Sequence, residues 1–292
     1  MNLYKIIAEI LSDALQTTVH IRSQAPVAGG SINKTLKIET NKGDFLVKIN
    51  ETLSGLPDFF EKEIHGLQLL RGTQTFIIPE VITSHQTPNC SFLILEYIEP
   101  DLQTSDFFYR FGASLAKLHA HTNRQFGLAQ DNYIGTLPQS NTPHSNWFNF
   151  FISERIEKQL KLAVDSKKMK ASIVTQFKNL YKLLDGMFPQ EPPALLHGDL
   201  WSGNFLCTMD GNVCIFDPAV YYGNREVDIA MTKLFGGFDV EFYKGYTDEW
   251  PLQPGWQERV DICNLYPLLV HVNLFGGAYL SEIQQVLNKF KC

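Results

Sequence analysis

The sequence has few cysteines and no excess of positive charge. Its 292 residues include five cysteines, an odd number with no C-x-x-C pair, so neither a zinc site nor a disulfide framework is predicted. Such cysteine usage favours a reducing, cytoplasmic location. The formal net charge of −6 provides no basic surplus to neutralise phosphates. We therefore expect neither a nucleic acid nor a membrane as a partner.

Long hydrophobic runs are also missing. The most apolar late segment, residues 265–280, contains His271 and Asn273 and falls short of the roughly 20 apolar residues of a membrane span. The first residues have apolar side chains at helical spacing, but Glu9 and Asp13 interrupt what would be the apolar core of an export signal. No internal repeat is visible. A hydrophobic content of 44% and a charged content of 19% predict a globular chain, long enough for two lobes.

The N-terminal third is predicted to form a small antiparallel sheet with one helix. Apolar and β-branched patterns indicate strands at 19–27, 35–40 and 45–49, and an apolar stripe indicates a helix at 59–70. A glycine-containing loop precedes the second strand, and its backbone N–H groups could approach a ligand closely. The loop residues of interest are Gly29, Gly30, Ser31 and Asn33.

Lys48 is the candidate phosphate contact of this sheet. Strand side chains alternate between two faces, so Lys48 points away from the face of Val47 and Ile49. Glu63 lies on the flank of the apolar face of the next helix and could reach Lys48. Such a pair would hold the lysine extended toward phosphate oxygens, as in protein kinases.

An apolar strand at 91–95 ends before Pro100, and we place the boundary between two lobes there. Residues 1–98 form the predicted N-lobe and residues 99–292 the predicted C-lobe. His119 is interpreted as a packing or capping residue and not as a catalytic one. The helices predicted for the second lobe are at 107–122, 147–162 and 173–187.

The most informative segment, residues 195–217, contains three polar residues suited to a magnesium site. Asp199 and Asn204 lie in a polar loop, and Asp217 follows two short apolar runs around Asp210-Gly211, a strong hairpin signal. A turn centred on that dipeptide would pair Asn204 with Asp217 across the strands. Their amide and carboxylate oxygens could then share one Mg²⁺ ion, completed by water and substrate phosphates.

Taken in chain order, these features resemble a protein-kinase-like fold. Two motifs make the resemblance more specific: His197-Gly198-Asp199-Leu200-Trp201-Ser202-Gly203-Asn204 and Phe216-Asp217-Pro218-Ala219. Together with residues 222–230 and 234–238, these motifs resemble the fructosamine kinase, or ketosamine-3-kinase, family. With residues 29–33 included, the resemblance spans nearly the whole chain.

The resemblance implies an α+β, bilobal fold, with a small N-lobe of antiparallel sheet and helix and a larger, mainly helical C-lobe. It implies ATP-dependent phosphorylation of the sugar O3 hydroxyl of fructosamines or ribulosamines, which are early glycation products of amines. The phosphate then promotes spontaneous loss of the sugar, so the reaction repairs glycation. The implied cofactors are ATP and Mg²⁺, the partner is a small-molecule or protein-bound ketosamine, and the expected state is a monomer or weak homodimer.

The resemblance also assigns roles to residues of this chain. It makes Asp199 the catalytic base and Lys48, paired with Glu63, a contact of the ATP phosphates. The backbone groups of Glu96 and Ile98 would meet the adenine. The remaining roles are Mg²⁺ binding by Asn204 and Asp217, a sugar platform or a buried loop anchor for Trp201, and tethering of the catalytic loop by Asp228.

Two departures from related proteins have consequences. Ser31 stands where some relatives carry a cysteine after the loop glycines, so a redox-sensitive disulfide at this position is not expected. Pro218 and Ala219 follow Asp217 where protein kinases have Phe and Gly. We therefore do not expect the inactive state that depends on that phenylalanine, and a more constitutive enzyme follows.

Three other functions fit parts of the pattern. A kinase of aminoglycosides, choline or homoserine would share the His-Gly-Asp motif and the later aspartate, although Trp201 and residues 222–238 favour a ketosamine. A metal-dependent phosphohydrolase would also use Asp and Asn ligands, but its clustered histidines are missing from the sequence. A nucleotide-binding module without activity would not need all five catalytic elements.

Overall fold

The structure is a computed structural model that describes residues 3–27, 33–51, 56, 58–87 and 90–292. The chain divides into two compact units. The first unit comprises Met1–Thr104 and Phe205–Asp217, and the second comprises Ser105–Asn204 and Pro218–Cys292. The division thus falls after Thr104, later than the predicted position after residue 98, and it groups the hairpin segment with the first unit.

Strands dominate the first unit, and helices dominate the second. The strands are β1 (Ile21–Pro26), β2 (Lys34–Thr40), β3 (Gly43–Asn50), β4 (Val81–Gln86), β5 (Ser91–Glu96), β6 (Asn132–Ile134), β7 (Leu137–Gln139), β8 (Ala194–Leu196), β9 (Phe205–Cys207), β10 (Val213–Ile215) and β11 (Tyr221–Gly223). The helices are α1 (Leu3–Leu15), α2 (Phe59–Gly72), α3 (Phe107–His119), α4 (Trp147–Phe150), α5 (Glu157–Asp165), α6 (Ile173–Leu184), α7 (Glu226–Leu234), α8 (Val240–Glu249), α9 (Trp256–Phe275) and α10 (Leu280–Lys289).

The first unit is built on a five-stranded sheet in the order β1-β2-β3-β5-β4, with antiparallel neighbours throughout. Alternation along β2 and β3 directs apolar side chains to one face, where the amphipathic helix α1 covers them. The predicted antiparallel sheet and the α+β, kinase-like fold class are confirmed. The buried core on this face includes Ile7, Leu11, Leu36, Ile38, Val47, Ile49, Phe92 and Ile94.

The edge strand β4 is an element that the sequence pattern did not indicate. Its sequence is Val-Ile-Thr-Ser-His-Gln, and its last three residues are exposed. An edge strand has one neighbour and needs little burial, so its apolar alternation is weak. β4 forms because it pairs with β5, whose residues 92–95 are all apolar and buried, from Gln86 opposite Ser91 to Val81 opposite Leu95.

The hairpin of β9 and β10 is present where the sequence predicts it, but its turn is longer than predicted. Val213 pairs with Cys207, and residues 209–211 form a three-residue tip. The N–H of Gly211 donates to the Thr208 carbonyl at 2.8 Å, and Gly211 has a φ of 71°. A type I turn closed by a left-handed glycine is the usual form of a three-residue hairpin loop.

The longer turn shifts the register of the two strands by one residue. Ile215 pairs with Phe205, so continuation of the same pairing would set Asn204 opposite Phe216 and not opposite Asp217. The prediction that Asn204 and Asp217 are directly opposed strand residues is therefore wrong. It assumed a two-residue Asp-Gly turn, whereas the glycine here closes a turn that begins one residue earlier.

Helices α3 and α8 cross at a pair of glycines in the second unit. A Cβ atom on Gly112 would clash with the Phe242 carbonyl, and a Cβ atom on Gly245 would clash with the Tyr109 carbonyl. The two helix backbones therefore come close enough that no side chain fits between them. Helix α3 begins where predicted and ends at His119, three residues before the predicted end at 122.

The helix predicted at 147–162 is interrupted. A π-helical segment, Phe151–Ile156, separates α4 from α5, and α5 continues to Asp165. A π-turn contains one residue more than an α-turn, so it rotates the side chains that follow it. Both Glu154 and Arg155 in this segment are buried, which hydrophobic periodicity could not anticipate.

The helix α9 fills much of the interior of the second unit. It has 20 residues, including Pro267, and twelve of them are buried. Buried side chains therefore lie on more than one face of the helix. Helix α9 contains residues 265–275 of the apolar segment 265–280 that the sequence shows. Among the helices within the described residues, α9 included, none has the length and hydropathy required to cross a membrane.

Candidate active site

Lys48 contacts two carboxylates within the first unit. It lies in β3 opposite Leu93 of β5, and its side chain is buried. Its Nζ donates to Oε1 of Glu63, on α2, and to Oδ1 of Asp217, which follows β10. The structure thus brings Lys48 and Glu63 together, and it adds Asp217 as a partner that sequence reasoning had considered for metal binding alone.

The two carboxylates determine the charge of Lys48. Burial alone would lower the pKa of Lys48, but the attraction of Asp217 and Glu63 outweighs burial and raises this pKa above its ordinary value of 10.5. The lysine therefore remains protonated at neutral pH. Removal of one partner from such a buried ion pair usually costs about 3–5 kcal/mol, so the arrangement holds a fixed positive charge in place.

Asp217 has an unusual backbone conformation. Its φ is 56°, in the left-handed region that costs an L-residue about 1–2 kcal/mol and that Asp and Asn tolerate best. Strained residues of this kind cluster at functional sites. The Asp217 side chain is 33% exposed, so a ligand can reach the carboxylate while its Oδ1 contacts Lys48.

The loop that follows β8 in the second unit begins with a glycine that no other residue could replace. Gly198 has a φ of 83°, and a Cβ atom on it would clash with the backbone carbonyl of Ala219. The N–H of Ala219 donates to the His197 carbonyl at 2.9 Å. The chain segment after Pro218 therefore packs directly against the start of the loop that carries Asp199.

Asn204 ends this loop and closes it on Asp199. Its Nδ2 donates to the Asp199 carbonyl at 2.8 Å and to Asp199 Oδ2 at 3.2 Å, and its backbone N–H donates to the Trp201 carbonyl at 3.0 Å. Because Nδ2 is directed at Asp199, the amide oxygen is directed elsewhere and can accept a cation. Asn204 therefore orients the carboxylate of Asp199 as well as offering a ligand atom.

Asp228, on α7, accepts hydrogen bonds from the backbone of the same loop. Its Oδ2 accepts from the N–H of His197 at 2.7 Å, and its Oδ1 accepts from the N–H of Gly198 at 2.9 Å. His119 Nε2 lies 3.2 Å from Oδ2 of Asp228, and His119 Nδ1 lies 2.8 Å from the hydroxyl of Tyr246. His119 is fully buried and has a packing position, as the sequence suggested.

The buried His119 should make the protein less stable in mild acid. Burial lowers the pKa of His119 below its ordinary value of 6.5, although the Asp228 carboxylate opposes this shift. The unfolded chain therefore takes up a proton first, so stability present above pH 6.5 is lost as the pH falls, at up to about 1.4 kcal/mol per pH unit. Urea unfolding from pH 7.5 to 5.5 should show this loss. The His119→Asn variant should show a smaller pH dependence, and an unchanged slope would contradict the assignment.

A buried network of amide side chains holds the segment after Pro218 from the other side. Asn132 Nδ2 donates to the Val220 carbonyl at 2.8 Å, and Gln139 Nε2 donates to the Ala219 carbonyl at 3.0 Å. Tyr266, on α9, donates its hydroxyl hydrogen to Gln139 Oε1 at 2.7 Å. These residues support the carbonyl group against which Gly198 packs, and sequence reasoning did not find them.

Arg155 completes this network from the π-helical segment. Its Nη2 donates to Asn141 Oδ1 at 2.7 Å, and its Nη1 donates to the Ser140 carbonyl. The guanidinium also lies 3.8 Å from the ring centre of Tyr221 and 4.6 Å from that of Phe150. The aromatic faces and carbonyl oxygens thus stabilise a fully buried cation.

Two buried ion pairs position the start of α7, which carries Asp228. Arg225 bonds Glu191 with two hydrogen bonds of 2.8 Å, and Arg259 bonds Glu226 with two of 2.6 Å. Bidentate pairs of this kind fix geometry as well as charge. The sequence motif contained Arg225 and Glu226, but their partners lie more than 30 residues away along the chain.

The structure describes only some of the other residues that were predicted to contact the nucleotide. Gly29, Gly30 and Ser31 lie outside the described residues. Asn33 is described, and its Oδ1 accepts from Asn50 Nδ2 at 3.2 Å. Glu96 ends β5, Ile98 lies two residues beyond it, and both are half-buried.

Trp201 is half-buried, two residues after Asp199. Its indole packs over Gly203, where a Cβ atom would clash with the ring, and it meets the ring of Phe235 edge to face at 6.4 Å between centroids. It is therefore neither fully buried nor free of the loop. Both roles considered from the sequence, a sugar platform and a loop anchor, are compatible with this position.

The predicted metal ligands fit Mg²⁺ by their chemistry. Asn204 offers an amide oxygen and Asp217 a carboxylate, and Mg²⁺ prefers oxygen ligands. Within the part of the chain that the structure describes, no group of three or more His, Cys, Asp or Glu side chains is arranged to hold a metal. A donor set of this size suits an ion that is completed by water and nucleotide phosphates.

Comparison with known proteins identifies the family. The fructosamine kinase family model matches residues 3–291. The chain belongs to the fructosamine kinase family. It is 41% identical over 292 residues to a probable ketoamine kinase of Vibrio parahaemolyticus, covering 98% of this chain and 99% of the relative. It is 34% identical over 277 residues to a chloroplastic protein-ribulosamine 3-kinase of Oryza sativa, covering 92% of this chain and 79% of that one.

Solved structures of similar proteins agree with this membership. A crystal structure from Haemophilus somnus, described as that of a fructosamine-3-kinase, has a TM-score of 0.89 and 28% identity, covering 99% of this chain and 98% of that one. A choline kinase from Streptococcus pneumoniae has a TM-score of 0.66 and 17% identity, covering 99% and 98%, and this likeness concerns the fold alone. The predicted family and the predicted class of enzyme, a phosphotransferase, are confirmed.

Proposed function

We propose that this fructosamine kinase family member transfers the γ-phosphate of ATP to the O3 hydroxyl of a ketosamine, either a fructosamine or a ribulosamine. The observation that carries the proposal is the family match over residues 3–291. Retention of the polar groups that phosphoryl transfer requires supports it. The phosphorylated sugar would then leave its amine, so the enzyme would repair glycated molecules.

We assign the nucleotide to residues of the first unit. Lys48, held by Glu63 and Asp217, would contact the ATP phosphates with its Nζ, which is protonated at neutral pH. The glycine loop at 29–31, with Asn33, would cover these phosphates with backbone N–H groups. The backbone groups of Glu96 and Ile98 would meet the adenine, as the connecting segment does in kinase-like folds.

We assign the base to Asp199. Its carboxylate accepts the hydrogen of the sugar hydroxyl, while Asn204 keeps the carboxylate oriented and Asp228 fixes the backbone of the loop. When bound, Mg²⁺ neutralises phosphate charge that develops in the transition state, and Asn204 and Asp217 are the residues that would hold it. Most of the catalysis would come from positioning and electrostatics, because phosphoryl transfer needs little covalent chemistry from the protein.

The rival functions have weaker support. The aminoglycoside and choline kinases among the solved structures share 14% and 17% identity with this chain, so they establish only a common fold. A phosphohydrolase would require a denser cluster of metal ligands than the described residues provide. An inactive module would have no use for Asp199 and its supporting hydrogen bonds.

The compartment and the assembly remain parts of the proposal. The five cysteines form no disulfide in the structure, which is consistent with a reducing, cytoplasmic location. We propose a monomer or a weak homodimer. The acidic net charge of −6 is consistent with a partner that is a small ketosamine or a glycated protein and not a nucleic acid.

Transfer of labelled phosphate from ATP to a panel of acceptors tests the function. The panel contains fructosamines, ribulosamines, aminoglycosides and choline, each as a free compound, together with a glycated protein. We expect transfer to fructosamine or ribulosamine and no comparable transfer to the others. Transfer to aminoglycosides or choline alone would overturn the proposal, and binding of ATP without transfer to any acceptor would indicate an inactive module.

A further inference from the structure

Five buried polar side chains of the second unit form one continuous chain of hydrogen bonds, which we call the amide network. Strands β6 and β7 set Asn132 directly opposite Gln139, and Gln139 Nε2 donates to Asn132 Oδ1 at 2.8 Å. Asn141 Nδ2 donates to the same oxygen at 2.8 Å. The members of the amide network are Asn132, Gln139, Asn141, Arg155 and Tyr266, and each is at most 6% exposed.

Arg155 determines the direction of the hydrogen bonds in the amide network. An arginine side chain donates and never accepts, so the amide oxygen of Asn141 must face Arg155 Nη2, at 2.7 Å. The Nδ2 of Asn141 then faces Asn132, whose Oδ1 is the acceptor. Asn132 Nδ2 is left to donate to the Val220 carbonyl at 2.8 Å. The side chain of Asn132 therefore has one satisfactory orientation.

Gln139 has a fixed orientation for the same reason. Its Nε2 donates to two acceptors, Asn132 Oδ1 and the Ala219 carbonyl, at 2.8 and 3.0 Å. A flipped amide would place its oxygen against both of these oxygens, so Oε1 must face Tyr266, whose hydroxyl donates to it at 2.7 Å. Loss of either Gln139 or the Tyr266 hydroxyl would leave a buried polar group without its partner, which costs more than the hydrogen bond itself contributes.

The amide network ends at the backbone that carries the candidate base. The Ala219 carbonyl that accepts from Gln139 lies so close to Gly198 that no Cβ atom fits between them, and Asp199 is the next residue. Tyr266 also lies within electrostatic range of Asp199, because burial raises the pKa of Tyr266 and the Asp199 carboxylate adds to this rise. A displacement of the Ala219 carbonyl would therefore move Gly198 and Asp199 with it.

We propose that Gln139 and Tyr266 are positioning residues for phosphoryl transfer, because together they hold the Ala219 carbonyl that keeps the loop of Asp199 in place. The inference rests on the proposed function and adds two residues that act through the catalytic loop. A misplacement of about 1 Å at a reacting group can cost about 100-fold in rate. The contribution of Gln139 and Tyr266 should therefore appear in kcat and not in the KM for ATP.

A double-mutant cycle with Asp199→Asn tests the inference. Gln139→Leu removes the donor to the Ala219 carbonyl and should reduce kcat by about 10- to 100-fold, with the KM for ATP and for the acceptor changed by less than about threefold. In the Asp199→Asn background the same substitution should reduce kcat by less than about twofold, because residues that act as a unit have non-additive effects. A residue with a merely structural role would lower the measured rate by the same factor in both backgrounds.

Tyr266→Phe is the milder second variant, because it removes the hydroxyl group and keeps the ring. It should reduce kcat less than Gln139→Leu does, and this reduction should also disappear in the Asp199→Asn background. The matched control is Gln159→Leu. Gln159 is a buried glutamine of the same unit whose Oε1 accepts from Asn273 Nδ2 at 2.9 Å, and its replacement should change the kcat of the folded protein by less than about twofold in both backgrounds.

All rates are measured with an acceptor that the wild type phosphorylates and are scaled to the folded fraction obtained from urea unfolding. Equal reductions of kcat in both backgrounds, or an unchanged kcat in both Gln139→Leu and Tyr266→Phe, would overturn the inference. If Gln139→Leu did not fold, the cycle with Tyr266→Phe would decide alone. A wild type that phosphorylates acceptors other than ketosamines would refute the proposed function and leave the cycle measurable, whereas absence of transfer to any acceptor would refute both.

Discussion

Replacement of Asp199 by asparagine is expected to reduce kcat by about 10²- to 10⁴-fold, which is the usual contribution of a general base, and to leave ATP binding nearly unchanged. Asparagine has the shape of aspartate, so the hydrogen bonds that Asn204 makes to this position would be largely kept or replaced. The amide cannot accept the proton of the sugar hydroxyl. Steady-state kinetics and a nucleotide-binding titration would measure the two effects separately.

Asp210→Asn provides the matched control for this experiment. Asp210 lies at the exposed tip of the hairpin, so the same chemical change there should leave kcat within about twofold of the wild type, as expected for a surface substitution. If Asp199→Asn weakened ATP binding as much as it reduced turnover, Asp199 would be part of the nucleotide site and not the base. An undiminished kcat would exclude Asp199 from proton transfer.

Replacement of Asp217 is expected to remove the Mg²⁺-dependent part of nucleotide binding. Loss of a supporting partner of a metal site already costs about 10- to 100-fold in affinity, and loss of the carboxylate ligand should cost at least about 100-fold. The removal also takes away one of the two carboxylates that contact Lys48 among the described residues. Titration of ATP with and without Mg²⁺ in the wild type and in Asp217→Ala measures the effect, and an unchanged Mg²⁺ dependence would contradict the assignment.

The left-handed backbone of Asp217 determines how this experiment should be controlled. Alanine tolerates a φ of 56° less well than aspartate or asparagine, by about 1 kcal/mol, so Asp217→Ala would change both the charge and the backbone. Asp217→Asn keeps the backbone preference and removes the charge. If Mg²⁺ dependence is lost in both variants while urea unfolding shows that the asparagine variant is the more stable one, the charge and not the backbone is responsible.

The parts of the candidate site that could be predicted depend on contacts encoded by short patterns. The alternation of β3 set the face of Lys48, and the helical stripe of α2 set the flank of Glu63. The contact between Lys48 and Glu63 could therefore be predicted from strand alternation, from helical spacing and from the order of β3 and α2 in the chain. The family motif added Asp199 and its loop, because that motif is contiguous in the sequence.

The errors arose where a choice between similar local structures decided the geometry. Asp210-Gly211 fits both a two-residue turn and the last part of a three-residue turn, and the two differ by one residue in register. The β4 strand has too few apolar residues for its pattern to show, and its pairing with β5 forms it. The local sequence determines neither the length of this turn nor the formation of β4, because both depend on pairing with the neighbouring strand.

Apart from Asp228, which the family resemblance suggested, the residues that support the site could not be predicted. Arg225 and Glu191 are separated by 34 residues, and Tyr266 and Gln139 by 127. A buried arginine or glutamine in a sequence looks like any polar surface residue until its partner is known. The π-helical segment adds to the difficulty, because the position of Arg155 depends on one extra residue in a helical turn.

The hairpin of β9 and β10 makes the first unit discontinuous in sequence. The Ile77 N–H donates to the Val213 carbonyl and the Asp101 N–H to the Cys207 carbonyl, at 3.1 and 2.8 Å, so residues far along the chain complete a unit that begins at the N-terminus. A fragment ending at Thr104 would lack both this hairpin and the second carboxylate beside Lys48. Ribosomal synthesis therefore cannot finish the first unit until residue 217 has been made, which is after residues 105–204 of the second unit.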